Sequence, residues 1–272
     1  MRALFGTRLR RALGDVLFLV AATTIPAAAR AACHGAIADL LRPRLLPAAL
    51  VGDSGAGAVR LTFLGHASFL VESPQGVTAV TDYNGHNRPP FTPDIVTMNV
   101  AHSTHYTDHP DAGIKWVLRG WDPAGGVPSH DIRERDMHVF NVPTNIRDWD
   151  GGTRFAANSM FAFDVGELCI VHLGHLHHTL TPEHLAALGQ VDVLLVPVDG
   201  AYTMSIDDML EVIDAIHAPL VIPMHFFGPS TLSRFLERLA PRYAVRRSAG
   251  AGVELSRETL PGRPEALVLA GY

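Results

Sequence analysis

The chain is short of several residue types, and each shortage excludes something. Only two cysteines, Cys33 and Cys169, occur in 272 residues, too few for a disulfide scaffold. Cys169 falls in a predicted strand and reads as a buried thiol. Cys33 falls in a loosely patterned N-terminal stretch, so no bond between the two is expected. Lys115 is the single lysine, which leaves Schiff-base chemistry one poor candidate. Charged residues make up 18% against 47% hydrophobic, a balance that excludes global disorder. The net charge of −5 lacks the basic surplus of a nucleic-acid binder. No G-x-S-x-G occurs, which removes the nucleophile elbow of the α/β-hydrolases.

Histidine is what the chain has in quantity. There are 15, and seven of them fall in two short windows. His102, His105 and His109 share the first with Asp108; His172, His175, His177 and His178 make up the second. Each imidazole brings a donor and an acceptor that need partners, so crowding seven of them points towards a metal.

The N-terminus reads as a targeting segment. Arg2, Arg8, Arg10 and Arg11 precede the apolar run Val16–Ala22 and the small-residue signal Ala29-Arg30-Ala31. A signal peptide over residues 1–31 is expected, cleaved before Ala32. Arg10-Arg11 is also open to a twin-arginine reading, and the segment to retention as an uncleaved anchor. The run is too short, and too soon interrupted by Pro26, for a membrane span. Its removal leaves 17 basic and 26 acidic side chains, a net charge of −9. A periplasmic or secreted protein is expected, with a lead-in over 32–58 and one domain over 59–272.

Within that domain, strands are predicted at 61–64, 67–71, 77–81, 95–100, 137–142, 159–163 and 168–171. Residues 110–137 read as loops. Beyond 180, helix and strand alternate. Helices are expected after Thr181, Ser205 and Ser230, strands at 191–196 and 220–224, and a last strand over Ala244–Leu255. Four strands run into metal-capable side chains: 95–100 into His102, 168–171 into His172 and His175, 191–198 into Asp199, and 220–224 into His225. Loops leaving strand C-termini gather at one sheet edge in α/β proteins, so these endings are expected to converge. Histidine and aspartate suit a hydrolytic Zn²⁺, as one ion or two, or another divalent metal.

On these residues the chain resembles the metallo-β-lactamase superfamily, in its ascorbate-phosphate-lactonase-like branch, over about residues 60–228. Leu61-Thr-Phe-Leu-Gly-His-Ala-Ser-Phe-Leu-Val is similar to the branch's opening hairpin, and Thr81-Asp82 to its Asp-bearing second strand. His102-Ser-Thr-His105-Tyr-Thr-Asp108-His109 resembles H-x-H-x-D-H with one extra residue in each gap. In the other register Thr104 and Tyr106 would stand where two ligands belong. Ile170-Val-His-Leu-Gly-His175 resembles the H-L-G-D segment, with histidine in place of the bridging aspartate. A branch histidine after Val142-Pro-Thr is missing; Asn145-Ile-Arg-Asp148 stands there.

The resemblance implies a four-layer αββα sandwich and a metal-dependent hydrolase acting on a small molecule of the ester, lactone or phosphoester kind. It implies His102, His105, Asp108, His109, His175 and His225 as metal ligands, with Asp108 alternatively orienting the attacking water. His172 and His178 are alternative ligands, Asp199 and Asp148 candidates to orient histidine rings, and His66 a structural histidine near the site. Losing the bridging aspartate favours one metal or a rearranged pair. A non-catalytic metal- or ligand-binding protein on the same fold is the alternative.

Overall fold

The computed structural model describes Cys33, residues 57–148 and residues 150–271. The expected signal peptide at 1–31, and the lead-in at 32–58 apart from Cys33, Gly57 and Ala58, lie outside the described residues. The chain runs through β1 (Val59–Gly65), β2 (Ser68–Glu72), β3 (Thr78–Val80), β4 (Ile95–Met98), β5 (Trp116–Arg119) and β6 (Asp131–Glu134). It continues through β7 (Met137–Arg147), β8 (Thr153–Val165), β9 (Leu168–His172), α1 (Pro182–Leu188) and β10 (Val193–Pro197). The last elements are α2 (Ile206–Ile216), β11 (Leu220–Met224), α3 (Pro229–Leu239), β12 (Ala244–Arg247), β13 (Gly252–Leu255) and β14 (Glu265–Val268).

Two sheets form: a six-stranded one ordered β13-β1-β2-β3-β4-β5 and an eight-stranded one ordered β12-β14-β11-β10-β9-β8-β7-β6. Period-2 alternation decides which side chains meet between them. Val59, Leu61 and Phe63 of β1 face Phe161 and Phe163 of β8, Ile170 of β9, and Val193 and Leu195 of β10 in one core. The alternate residues Cys169, Val171, Leu194 and Val196 point the other way, into a second core under the helices. Fully burying one such large apolar side chain is worth roughly 1.5–3 kcal/mol.

The helices supply the outer layer on the eight-stranded sheet. Met209, Leu210, Val212 and Ile213 of α2 and Leu232, Phe235, Leu236 and Leu239 of α3 face inward, and Leu188 of α1 joins them. Thr181 and Ser205 cap α1 and α2 as expected, accepting from the amides of His184 and Asp208. α3 starts differently: Gly228 is its N-cap and Pro229 its first residue, so Ser230 lies inside the helix. The opposite face of the molecule is covered by loop. Tyr83 and Ile114 pack there against Leu70, Val80, Val96 and Met98, and no helix lies on that face among the described residues.

Other departures from the sequence reading have local causes. The single strand expected over Ala244–Leu255 is two, because residues 248–251 cross from one sheet to the other; β12 pairs β14 and β13 pairs β1. The stretch 110–137 holds β5 and β6, an edge strand of each sheet, joined where Trp116 Nε1 donates to Glu134. Pro223 sits within β11, which is tolerated because β14 pairs only Leu220 and Val221 there. Cys33 and Cys169 are joined in a disulfide, against expectation. Both cysteines are buried in the core beneath the helices, so the lead-in reaches β9 at this point. Among the described residues no helix is long and apolar enough to cross a membrane.

Candidate metal centre

β3, β4 and β5 run parallel in one sheet, and β9, β10 and β11 in the other. Their C-terminal ends, with the Gly65-His66-Ala67 turn between β1 and β2, deliver the site. His66, His102, His105 and His225 each offer a nitrogen, and these four atoms lie within 4.8 Å of one another. His225 Nε2 is 3.1 Å from His105 Nε2. The His225 backbone N–H donates to the His66 carbonyl at 2.7 Å, tying the two turns together. His66, Asp82 and His225 all have left-handed backbones, with φ of 55°, 42° and 53°. Such conformations cost about 1–3 kcal/mol each and concentrate at functional sites.

Carboxylates behind the histidines set the direction of the rings. His105 Nδ1 is 2.5 Å from Asp82 Oδ2, and His225 Nδ1 is 3.0 Å from Asp199 Oδ2. Asp82 is held in turn by Asn99 Nδ2 at 3.0 Å, and Asp199 accepts from the Thr203 hydroxyl at 2.6 Å. Each histidine therefore spends its Nδ1 proton on a carboxylate and presents an Nε2 lone pair to the other. Two lone pairs 3.1 Å apart repel; no proton lies between them in the neutral rings. A cation resolves the conflict. Two ligand nitrogens on a tetrahedral zinc stand roughly 3.3 Å apart, from Zn–N distances of about 2.0–2.1 Å. The buried Nε2 of His66 also has no partner. The donor set fits a metal, with the carboxylate–histidine arrangement that fixes metal-ligand rings.

Burial governs the protonation of the cluster. His66 is pushed down to about 3 by burial and then by the neighbouring His225 and His102. Burial and the surrounding histidines hold His105 and His175 well below the usual imidazole range. His177 is lowered to about 4 by burial and by Arg147. Asp82 moves the other way, up to about 6, through burial opposed by His172 and Asn99. Burial also raises Asp199, but bonds from His225 and Thr203 outweigh it and leave the carboxyl low.

These directions give a signed expectation for metal-free protein. Histidines with depressed folded values bind protons more readily when unfolded, so their contribution is lost as pH falls from about 6.5 towards 3. Asp82, raised, opposes them between its folded value of about 6 and its ordinary value, but it is one group against several. The urea midpoint of metal-free protein should fall steadily between pH 7 and pH 5; a flat profile would contradict the buried cluster.

The remaining expected residues fall into place unevenly. His175 Nε2 is 3.0 Å from His102 Nε2, so it joins the cluster edge. Asp108 and His109 are exposed and stand outside the group of four; His109 donates only its backbone N–H, to Thr107. The loop turns back after His105, whose carbonyl accepts from Asn99 N–H, and the chain then leaves the site. His172 spends both nitrogens on backbone, donating to the Ala67 carbonyl and accepting from Gly174 N–H. His178 does likewise with Thr179 and Asn145. Asp148 lines a cavity of about 350 Å³ beside the cluster, together with His102, His175, His177, Arg154 and Tyr202. His66, expected as a structural histidine near the site, instead joins the group of four, and Asp82, visible in sequence only as part of the second-strand motif, stands behind His105. Gly174 is required by its surroundings: φ is +62°, and a Cβ there would meet Asn99 Nδ2 at 2.4 Å and Asn158 Oδ1 at 2.5 Å.

The β-lactamase superfamily domain matches residues 60–225. A metal-dependent hydrolase of Carboxydothermus hydrogenoformans is 26% identical over 193 residues, 62% of this chain and 84% of that protein. One from Methanoculleus marisnigri is 26% identical over 221 residues, 74% of this chain and 98% of the relative. Among solved structures, a Thermotoga maritima protein assigned as a Zn-dependent hydrolase of the metallo-β-lactamase superfamily superposes with a TM-score of 0.58. It is 28% identical, and the match covers 78% of this chain and 98% of that one. With its paired sheets, its histidine cluster at the strand ends and a domain match over residues 60–225, the chain belongs to the metallo-β-lactamase superfamily of metal-dependent hydrolases.

Proposed function

We propose that the protein is a zinc-dependent hydrolase of a small molecule carrying an ester, lactone or phosphoester bond, working in the periplasm or outside the cell. The observation that carries the reading is the pair of carboxylate-anchored histidines, His105 and His225, whose free Nε2 atoms face each other at 3.1 Å. Zinc held by His66, His102, His105 and His225 would supply an activated water and polarise the substrate oxygen. Asp82 and Asp199 hold two of those rings in one tautomer. The export reading draws on the basic, apolar N-terminus and on the Cys33–Cys169 bond, since disulfides persist in oxidising compartments.

The adjoining cavity favours a substrate with an anionic group. Arg154 lines it, and its guanidinium has no ion-pair or hydrogen-bond partner among the described residues. Arg147, by contrast, is committed to the carbonyls of Ala201 and Thr203. Tyr202 is exposed at the same wall and packs edge-on to exposed Phe227, offering an apolar surface beside the charge.

The test is elemental analysis of the purified protein followed by hydrolysis of 4-acetoxybenzoate and its neutral counterpart 4-acetoxybenzamide, before and after chelation. Zinc and chelator-sensitive turnover are expected. Bound metal with no turnover of these or of lactone and phosphodiester substrates would favour a binding protein instead. Arg154→Gln should raise KM for the anionic ester about tenfold, leaving kcat and the neutral ester within twofold. Equal effects on both esters would remove Arg154 from substrate recognition.

A further inference from the structure

We infer that His175 is not a metal ligand but a hydrogen-bond donor aimed into the site, with His177 as the positioning residue that fixes its tautomer, and that the centre therefore holds one metal. The inference rests on the functional reading above and deepens it.

One backbone group sets the direction of the whole chain of rings. The Arg147 N–H donates to His177 Nδ1 at 2.9 Å, and a backbone amide can only donate. His177 Nδ1 is therefore unprotonated, and the neutral ring carries its proton on Nε2. That Nε2 is 2.6 Å from His175 Nδ1 and donates to it. His175 Nδ1 is thus an acceptor, and its own proton lies on Nε2, the atom that faces His102 Nε2 at 3.0 Å. A nitrogen carrying a proton has no lone pair to give a metal. His175 is anchored further by its backbone N–H, which donates to Asn158 Oδ1 at 2.8 Å.

The contrast with His105 and His225 is in the partner behind the ring. Those two have a carboxylate behind Nδ1, which draws the proton there and frees Nε2. His175 has a histidine donor behind Nδ1, which does the reverse. His102 is free to act as a ligand, since its Nδ1 meets the Thr104 hydroxyl at 2.7 Å. Once a metal takes the His102 Nε2 lone pair, the His175 N–H loses its acceptor. The ring is only 3% exposed, so the donor must find another partner inside the site. An oxygen gaining negative charge during hydrolysis is such a partner. In the resembled H-L-G-D segment this position is a carboxylate, which can bridge two metals; a protonated Nε2 cannot.

The test uses the zinc-loaded full chain. One zinc per chain is expected by elemental analysis. His175→Ala and His175→Gln should keep that zinc with affinity within about threefold, whereas His105→Ala should lose at least 100-fold. Long-range ¹H–¹⁵N histidine spectra of the zinc form should show one ring, removed by His175→Gln, protonated at Nε2. His177→Phe should scramble that signal and lower kcat about tenfold with little change in KM. His177→Gln, which keeps an acceptor for Arg147 and a donor for His175, should restore both. Two zincs per wild-type chain, zinc lost from both His175 variants, or a His175 ring protonated at Nδ1 would each overturn the inference. Zinc retained in full by His105→Ala would instead strike at the proposed function.

Discussion

His105→Ala is expected to abolish tight metal binding and to lower the hydrolytic rate by roughly 10³-fold or more, while His109→Ala leaves both within about twofold. The two histidines are four residues apart in one motif, but the fold separates them. His105 is fully buried with Asp82 behind it and His225 in front. Its removal takes away a ligand nitrogen and leaves the buried Asp82 carboxylate with Asn99 but without its histidine partner, which is destabilising on its own. On the proposed function, loss of the metal would also remove what activates the attacking water. His109 is exposed and stands outside the group of four. Metal content after gel filtration, together with turnover of 4-acetoxybenzoate, checks the pair. Metal lost from the His109 variant but not from the His105 variant would reverse the assignment.

Reduction of the Cys33–Cys169 bond, or Cys33→Ser, is expected to lower Tm by roughly 6–20 °C. The bond closes a loop of sequence separation 136. Loops of this length restrict the unfolded chain by about 3–5 kcal/mol, and each kcal/mol moves Tm about 2–4 °C in a domain of this size. The bond lies in the core beneath the helices on β9, the strand that ends at His172. Metal affinity is therefore expected to fall less than stability does, because the site itself lies beyond the strand end. Thermal unfolding with and without reductant reads the effect. An unchanged Tm would mean that the cross-link contributes nothing to stability, and would weaken the reading of an exported protein.

Much of the architecture was legible because it depends on local patterning. Runs such as Val193–Pro197 and Leu220–Met224 are apolar on both faces, which marks interior parallel strands, and both are fully buried. Thr181 and Ser205 cap helices through bonds that span three residues, so sequence suffices to find them. Convergence at the strand ends was also readable, since His102, His175, Asp199 and His225 all follow such strands and do meet. The crossover at 248–251 was not, because alternation is the same in either sheet. Nor was the bond to Cys33, which depends on where a poorly patterned segment travels.

Within the site, sequence by itself determined the chemistry: histidines and aspartates placed at the ends of buried parallel strands, in an acidic chain with almost no lysine. Which of them share one point was decided only by the tertiary structure. His66 and Asp82 enter through turns with left-handed backbones, and Asp108 and His109 leave because the loop folds back after His105. The reason is physical. A residue type fixes what a side chain can bind, whereas the partner behind each ring fixes which nitrogen is free, and that partner comes from a distant strand.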